Sequence, residues 1–311
     1  MILALAGGVG GAKLAAGLSR VLGDALTVVV NTGDDFEHLG LHISPDVDTV
    51  MYTLAGLNNR ETGWGLAGET WSFMSMMERL GGETWFRLGD QDLAIHLERT
   101  RRMAKGERLS SITDSLCRRL GIASNIVPMS DDPVRTLVQT DEGELGFQHY
   151  FVRRRCEPVL KSLRFEGAGR AAPGAGFLSA LDDPGLQGIV FCPSNPYLSI
   201  APILALPGIE ERLRRRRAPA VAVSPIIAGQ ALKGPAAKIM RELGRTPGAI
   251  EVARGYRGLI DGFVLDEQDA ALAPRLEPQM RSLAAPTIMR DTDQAELLAR
   301  CVLEFLSGLS R

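Results

Sequence analysis

Four carboxylates crowd one short stretch of this chain: Asp34 and Asp35 in VNTGDDFEHLG, then Asp46 and Asp48 in ISPDVDT. An apolar run ends at Val30, which predicts a buried strand opening into the loop that carries the first pair. Ser44 fits an N-cap and Pro45 a first helical residue, so Asp46 falls in a first helical turn, where the helix dipole favours negative charge. Asp46 and Asp48 cannot share a helix face, because only residues three or four apart do. One then faces the cleft and the other braces it. Acids this close repel one another, and a hard cation such as Mg2+ relieves the repulsion through oxygen ligands. Asp34, Asp35, Asp46 and Asp48 are therefore metal candidates, and the stretch reads as a metal and substrate site. A turn rich in helix-capping acids is the plainer alternative.

A second group of residues suits anions. Gly7, Gly8, Gly10, Gly11 and Lys13 lie between the apolar run Ile2–Ala6 and the amphipathic stretch Leu14–Leu22, so the order is strand, glycine loop, helix. Backbone amides in such a loop cradle phosphates. The spacing matches neither standard fingerprint: Lys13 stands where a dinucleotide loop has its third glycine, and Ala12 where a P-loop has the glycine before its lysine. In FRLGDQDLAIH, Asp90 reads as the cap of a helix on which Asp92 and His96, four apart, share a face. Capping and pairing explain those acids as well as a site does. Arg87, on the loop before the cap, is better placed to reach a ligand. Two later apolar runs end in polar turns, at Ser194, Asn195 and Pro196 and again at Ser224.

The elements that must position these residues spell an α/β fold, a doubly wound Rossmann-like and mostly parallel sheet. It forms a single domain, 1–311, with a mainly helical insertion at approximately 55–122. After the opening strand and helix, Leu26–Val30 supplies a second strand. Thr70–Leu80 and Ala94–Lys105 have helical periodicity, and Met74, Met76 and Met77 read as core filler. Asn125–Thr140 reads as loop then strand, closed into a hairpin by Gly143–Val152, and Phe165–Pro184 as a surface link. Late strands are expected at Gly188–Cys192, Ala220–Val223, Gly262–Leu265 and Thr287–Met289, before a final helix at Asp291–Leu306. In an open parallel sheet, ligands bind beyond the carboxyl ends of the strands. The glycine loop, the acidic loop and the turns at Ser194 and Ser224 would then line one cleft.

Bulk properties narrow the partners. With 311 residues, 45% hydrophobic and 23% charged, the chain is large enough to bury a full core. Lys plus Arg number 35 against 37 Asp plus Glu, which gives no reason to expect nucleic acid or a membrane surface as partner. The run Arg212, Arg214 to Arg217 reads as a solvated helix face. Cys117, Cys156, Cys192 and Cys301 have no metal-like spacing, which points to core-filling thiols in a reducing cytoplasm. MILALAGG has no basic start and too short an apolar run for a signal peptide or membrane span.

Seven segments, AGGVGGAKL, NTGDD, SPDVDTVMYTLAG, LGDQDLAIH, PMSDDPV, PSNPYLSIAPIL and VAVSPIIAGQALKGPAAK, occur in the order found in the 2-phospho-lactate transferases. The chain resembles that family from Leu5 to the last helix. The resemblance implies a cytoplasmic homodimer that makes the side chain of the deazaflavin coenzyme F420. A guanylylated donor would pass phospholactate, phosphoenolpyruvate or phosphoglycerate to the ribityl hydroxyl of the deazaflavin Fo, releasing GMP. It also implies that Asp48 and Arg87 contact Fo, that Mg2+ sits among Asp34, Asp35, Asp46 and Asp48, and that the glycine loop holds the guanine nucleotide. The residues of that last group are Gly7, Gly8, Gly10, Gly11 and Lys13, with Ser194, Asn195, Pro196 and Ser224. The chemistry agrees, since such a transfer needs neutralised phosphate oxygens and a well-placed hydroxyl rather than a protein nucleophile, and no triad is visible. An acid of the cluster, Asp48 by preference and otherwise Asp46, would orient or deprotonate the hydroxyl. Two rivals share the fold: a dinucleotide oxidoreductase using Asp34 or Asp35 on the ribose, and a nucleotide-sugar-binding regulator related to the transferases.

Overall fold

The computed structural model describes residues 1–276 and 280–309. Its strands in chain order are β1 (Ile2–Ala6), β2 (Leu26–Val30), β3 (Phe36–His38), β4 (Leu41–Ile43), β5 (Asn125–Pro128), β6 (Arg135–Thr140) and β7 (Gly143–Gly146). There follow β8 (Leu160–Glu166), β9 (Gly188–Phe191), β10 (Ala220–Val223), β11 (Ile226–Ile227), β12 (Gln230–Ala231), β13 (Gly262–Asp266) and β14 (Arg281–Ala285). Seven of them form one sheet in the order β14-β13-β10-β9-β1-β2-β5, every neighbour parallel. The doubly wound architecture is therefore present. Its strand order reverses beside β1, which pairs with β2 on one edge and with β9 on the other. The crevice at such a reversal is where ligands bind in open α/β sheets.

Continuous apolar strands are what a sheet covered on both faces requires. Along β1, Ile2, Ala4 and Ala6 enter one buried cluster and Leu3 and Leu5 the other. The first cluster is closed by helices α1 (Gly8–Leu22) and α2 (Pro45–Leu54) and by the C-terminal helix Thr292–Ser307. The second is closed by Phe177, Ile203, Leu213, Met240 and Val252 on shorter helices. Between α2 and β5 lie α3 (Ser72–Arg79), α4 (Asp90–Met103) and α5 (Leu109–Arg119).

Several sequence expectations need correction. Asn125–Pro128, read as loop, is the edge strand β5, its short apolar stretch too brief to give a period. The hairpin β6–β7 forms, but Gly143–Val152 leaves the strand after Gly146 for a helical turn at His149–Arg153. Phe165–Pro184 is no mere link: it finishes β8, which pairs with β6, and contains the helix Ala175–Leu181. Thr287–Met289 is not a strand; the last strand is β14, and Thr287 instead donates to Asp266. Met74 is buried, but Met76 is 48% exposed. Arg216 is also an exception within its basic run, buried and paired with Asp261.

Candidate active site

The loop after β1 and the loop after β9 interlock. Gly7 N–H donates to Ser194 Oγ at 3.0 Å, and Asn195 Oδ1 caps the turn Pro196–Ile200 by accepting from Tyr197 N and Leu198 N. There is no room for a side chain here: a Cβ on Gly7 would collide with the Asp46 carboxylate, and one on Gly10 with the Pro193 carbonyl. Glycine is thus required by close approach. Gly8 N–H donates to Asp46 Oδ1 at 2.6 Å, so a carboxylate rests at the positive start of α1.

That carboxylate comes from the first turn of α2, and its neighbour two residues on points elsewhere. Asp46 faces the glycine loop; Asp48 faces α4. Ser44 stands at the N-cap position without capping, because its hydroxyl donates to Asp35 Oδ2 at 2.9 Å instead. Asn31, fully buried, holds the acids together: its Nδ2 reaches Asp46 Oδ2 at 2.9 Å and Asp34 Oδ1 at 3.3 Å, while its Oδ1 accepts from Gly33 N. Burial, against hydrogen bonds from Asn31, Gly8 and Ser199, pushes the Asp46 carboxyl up to about 6. Burial and the nearby charges of Asp46 and Asp35 carry Asp34 well above the usual range. Asp35 binds His42 Nε2 at 3.1 Å through Oδ2, and its buried Oδ1 has no partner among the described residues.

Asp48 lies in a second, buried network. Both of its oxygens engage Arg99, through Nη1 at 3.0 Å and through Nη2, and His96 Nδ1 is 3.6 Å away. His96 Nε2 in turn lies 3.2 Å from Asp92, to which Tyr52 of α2 donates its hydroxyl proton. Burial raises the Asp48 carboxyl despite the pull of Arg99 and His96. Burial would raise Asp92 too, but His96, Tyr52 and Arg99 hold it below its ordinary value. Asp92, His96 and Arg99 thus form a polar stripe on α4 where an amphipathic helix would bury apolar residues. Among the described residues, Asp48, Asp92 and His96 bring ligand atoms within 4.8 Å of one another. The four acids read as one cluster are accordingly divided, with Asp34 and Asp46 on Asn31, Asp48 on Arg99, and Asp35 between His42 and Ser44.

Next to Asp92 opens a cleft of about 230 Å³, including space shared with solvent, whose lining contains Asn59, Thr62, Trp64, Glu69, Trp71 and Asp92. The exposed Arg87 guanidinium stacks 4.0 Å over the Trp71 ring, and Trp64 meets Trp71 edge to face. Asp90 does not cap α4: it accepts from Thr70 Oγ1, Ser72 N and Phe73 N and so closes the start of α3. Glu69 does the reverse, accepting from Gln91 N and Asp92 N of α4.

Not every anticipated ligand group faces the crevice. Gly8, Gly10, Gly11 and Lys13, read as loop before a helix at Leu14, lie instead inside α1, which starts at Gly8. Lys13 donates to the Met289 carbonyl at 2.6 Å, and Ser224 Oγ is closed on Ile226 of its own turn. Sequence reasoning missed Asn31, Ser199, Tyr52 and Arg99. Only Asn31 left a signal, as a polar residue directly after the apolar run of β2.

Comparison with known proteins fits this geometry. The model of the family "2-phospho-L-lactate transferase CofD" matches residues 2–302. A phosphoenolpyruvate transferase of Streptomyces griseus is 41% identical over 311 residues, with 97% of each chain covered. A 2-phospho-L-lactate transferase of Methanopyrus kandleri is 40% identical, covering 98% of this chain and 97% of that one. A UPF0052-family protein of Bacillus halodurans, 13% identical, superposes with a TM-score of 0.61 over 97% of this chain and 98% of that one, a likeness of fold alone. Matched by the family model over residues 2–302 and by relatives 40–41% identical over nearly its whole length, this chain belongs to the 2-phospho-L-lactate transferase family and is a transferase.

Proposed function

We propose that the protein transfers a phosphorylated three-carbon acid (phospholactate, phosphoenolpyruvate or phosphoglycerate) from a guanylylated donor to the ribityl hydroxyl of the deazaflavin Fo, releasing GMP, in coenzyme F420 biosynthesis. The observation that carries this is the divergence of two acids on one turn of α2. Asp46 is bonded to the glycine loop, and Asp48 to the helix that lines the Trp64–Trp71 cleft. A donor diphosphate on one side and a hydroxyl acceptor on the other would then meet across a single helical turn.

In this reading the first-turn amides of Gly10 and Gly11 and the turn Ser194, Asn195, Pro196, beside Gly7 and Gly8, whose amides are engaged by Ser194 and Asp46, hold the donor nucleotide, with Lys13 and Ser224 further out. Arg87 and the Trp71 ring beneath it take the flat deazaflavin. Mg2+ fits Asp34 and Asp46, with Asp35 behind them. Burial and then repulsion from Asp46 and Asp35 raise Asp34, the buried Asp35 Oδ1 atom has no partner among the described residues, and such sites use one or two carboxylates completed by substrate phosphates. When bound, the cation neutralises charge on the non-bridging oxygens. Arg99 and His96 pull Asp48 toward its ionised form against the burial that raises it, and the ionised form would accept the hydroxyl proton as the oxygen attacks phosphorus. The bridging bond to GMP breaks, and the nucleotide departs with the bridging oxygen.

Mass spectrometry after incubation with Fo, Mg2+ and each of the three guanylylated acids tests the reading and identifies the preferred donor. Product should form with at least one of them. Asp48→Asn should abolish it while circular dichroism stays unchanged. Binding of a UDP-sugar without binding of Fo would instead favour a regulator of the related fold.

A further inference from the structure

Lys233 sits in the exposed turn after β12, and its Nζ donates to the Thr62 carbonyl at 3.2 Å. That contact ties two loops distant in sequence. One is the stretch around Asn59 to Leu66, which lines the cleft beside Trp71; the other follows the strand pair β11–β12.

The tie crosses the glycine loop. Gly63, beside Thr62, is enclosed between the Lys233 ammonium and the start of α1: a methyl group there would stand 2.6 Å from Lys233 Nζ and 3.3 Å from both Val9 methyls. Val9 lies between Gly8 and Gly10 in the first turn of α1. Lys13 is close as well, since burial and then the charge of Lys233 lower its pKa. Two ammonium groups thus lie within electrostatic reach of each other near the start of α1, with Asp291 offsetting part of the charge on Lys13, and among the described residues no carboxylate pairs with Lys233. Like charges gathered in this way are costly until an anion enters between them.

We propose that Lys233 is a reserve ligand for the donor phosphates: an arriving diphosphate draws its ammonium off the Thr62 carbonyl, and the released loop opens the acceptor cleft. Donor binding would then precede acceptor binding, because the two subsites share one side chain. The inference rests on the reading above that a diphosphate lies at the glycine loop.

The test uses the full chain and inorganic pyrophosphate with Mg2+ as the probe. Calorimetric titration should give binding to the wild type, binding weakened roughly 10- to 100-fold in Lys233→Met, and most of the affinity kept in Lys233→Arg. Hydrogen exchange in the segment 58–66 should quicken when pyrophosphate binds the wild type. In Lys233→Met it should be fast from the start and indifferent to the probe. Undiminished affinity in Lys233→Met, or exchange in 58–66 that pyrophosphate leaves unaltered in the wild type, would overturn the role of Lys233 alone. A wild-type protein that binds no pyrophosphate would overturn the diphosphate reading and this inference with it.

Discussion

Replacing Arg99 by methionine isolates what the buried pair does. Arg99 is 1% exposed and both oxygens of Asp48 rest on it, so the shorter apolar side chain fills similar space but leaves the carboxylate with His96 as its remaining basic neighbour. Breaking one side of a buried pair costs about 3–5 kcal/mol. With an unfolding entropy of about 2.1 cal/mol/K per residue over 311 residues, the melting temperature should fall by roughly 5–8 °C. The loss should depend on pH, with a determined sign. Burial already raises Asp48 in the folded state, and removing Arg99 raises it further. An acid whose folded pKa lies above its unfolded value contributes stability that is whole below the unfolded value and is lost as pH rises. The deficit of Arg99→Met against wild type should therefore be smallest at an acidic pH and largest at an alkaline pH. Adding Asp48→Asn to Arg99→Met should recover most of it. Thermal melts of the wild type and of the single and double variants decide the matter. An equal deficit at both pH values, or no recovery in the double variant, would refute the buried-charge account.

Three further outcomes follow from the same geometry. Asn31→Ala removes the donors shared by Asp34 and Asp46 and should cost about 1–3 kcal/mol in urea denaturation. Its turnover number should fall roughly 10- to 100-fold, because misplaced groups lose rate without losing the fold. Arg87→Ala, at an exposed position, should raise the acceptor KM by roughly tenfold in steady-state assays and leave the donor KM and the melting temperature unaltered. Finally, Asp46 is raised by burial from 3.8 to about 6, so its contribution to the stability of the ligand-free protein is complete below 3.8 and lost as pH climbs through about 6. Melts across that window should show the decline, and Mg2+ should reverse it above about pH 6 if the acids bind a divalent ion. A midpoint insensitive to both pH and Mg2+ would count against that assignment.

What the sequence made legible, and what it hid, divides along a physical line. Strands buried on both faces announce themselves as unbroken apolar runs, so β1, β2, β10 and β13 could be read almost to the residue. Glycines and acids in loops were legible as well, because few other residues tolerate such contacts as that of Gly7 with Asp46. Partners contributed by distant elements were not. Nothing near Asp48 in the chain announces that Arg99 will neutralise it, and the helical period of α4 marks Asp92, His96 and Arg99 as sharing a face without saying that the face is buried. A charged stripe normally points to water, and here it points inward because Asp48 and Tyr52 of α2 supply its partners. The hidden part is thus the part that joins the two halves of the site. Spacing in α2 requires Asp46 and Asp48 to diverge, and packing decides that they diverge toward the glycine loop on one side and toward α4, whose Asp92 lines the tryptophan cleft, on the other. If that packing holds donor and acceptor in register, damage to Arg99 should disturb placement of the acceptor hydroxyl before it disturbs the donor site. The order of those two losses separates a positioning role for the α4 stripe from one of stability alone.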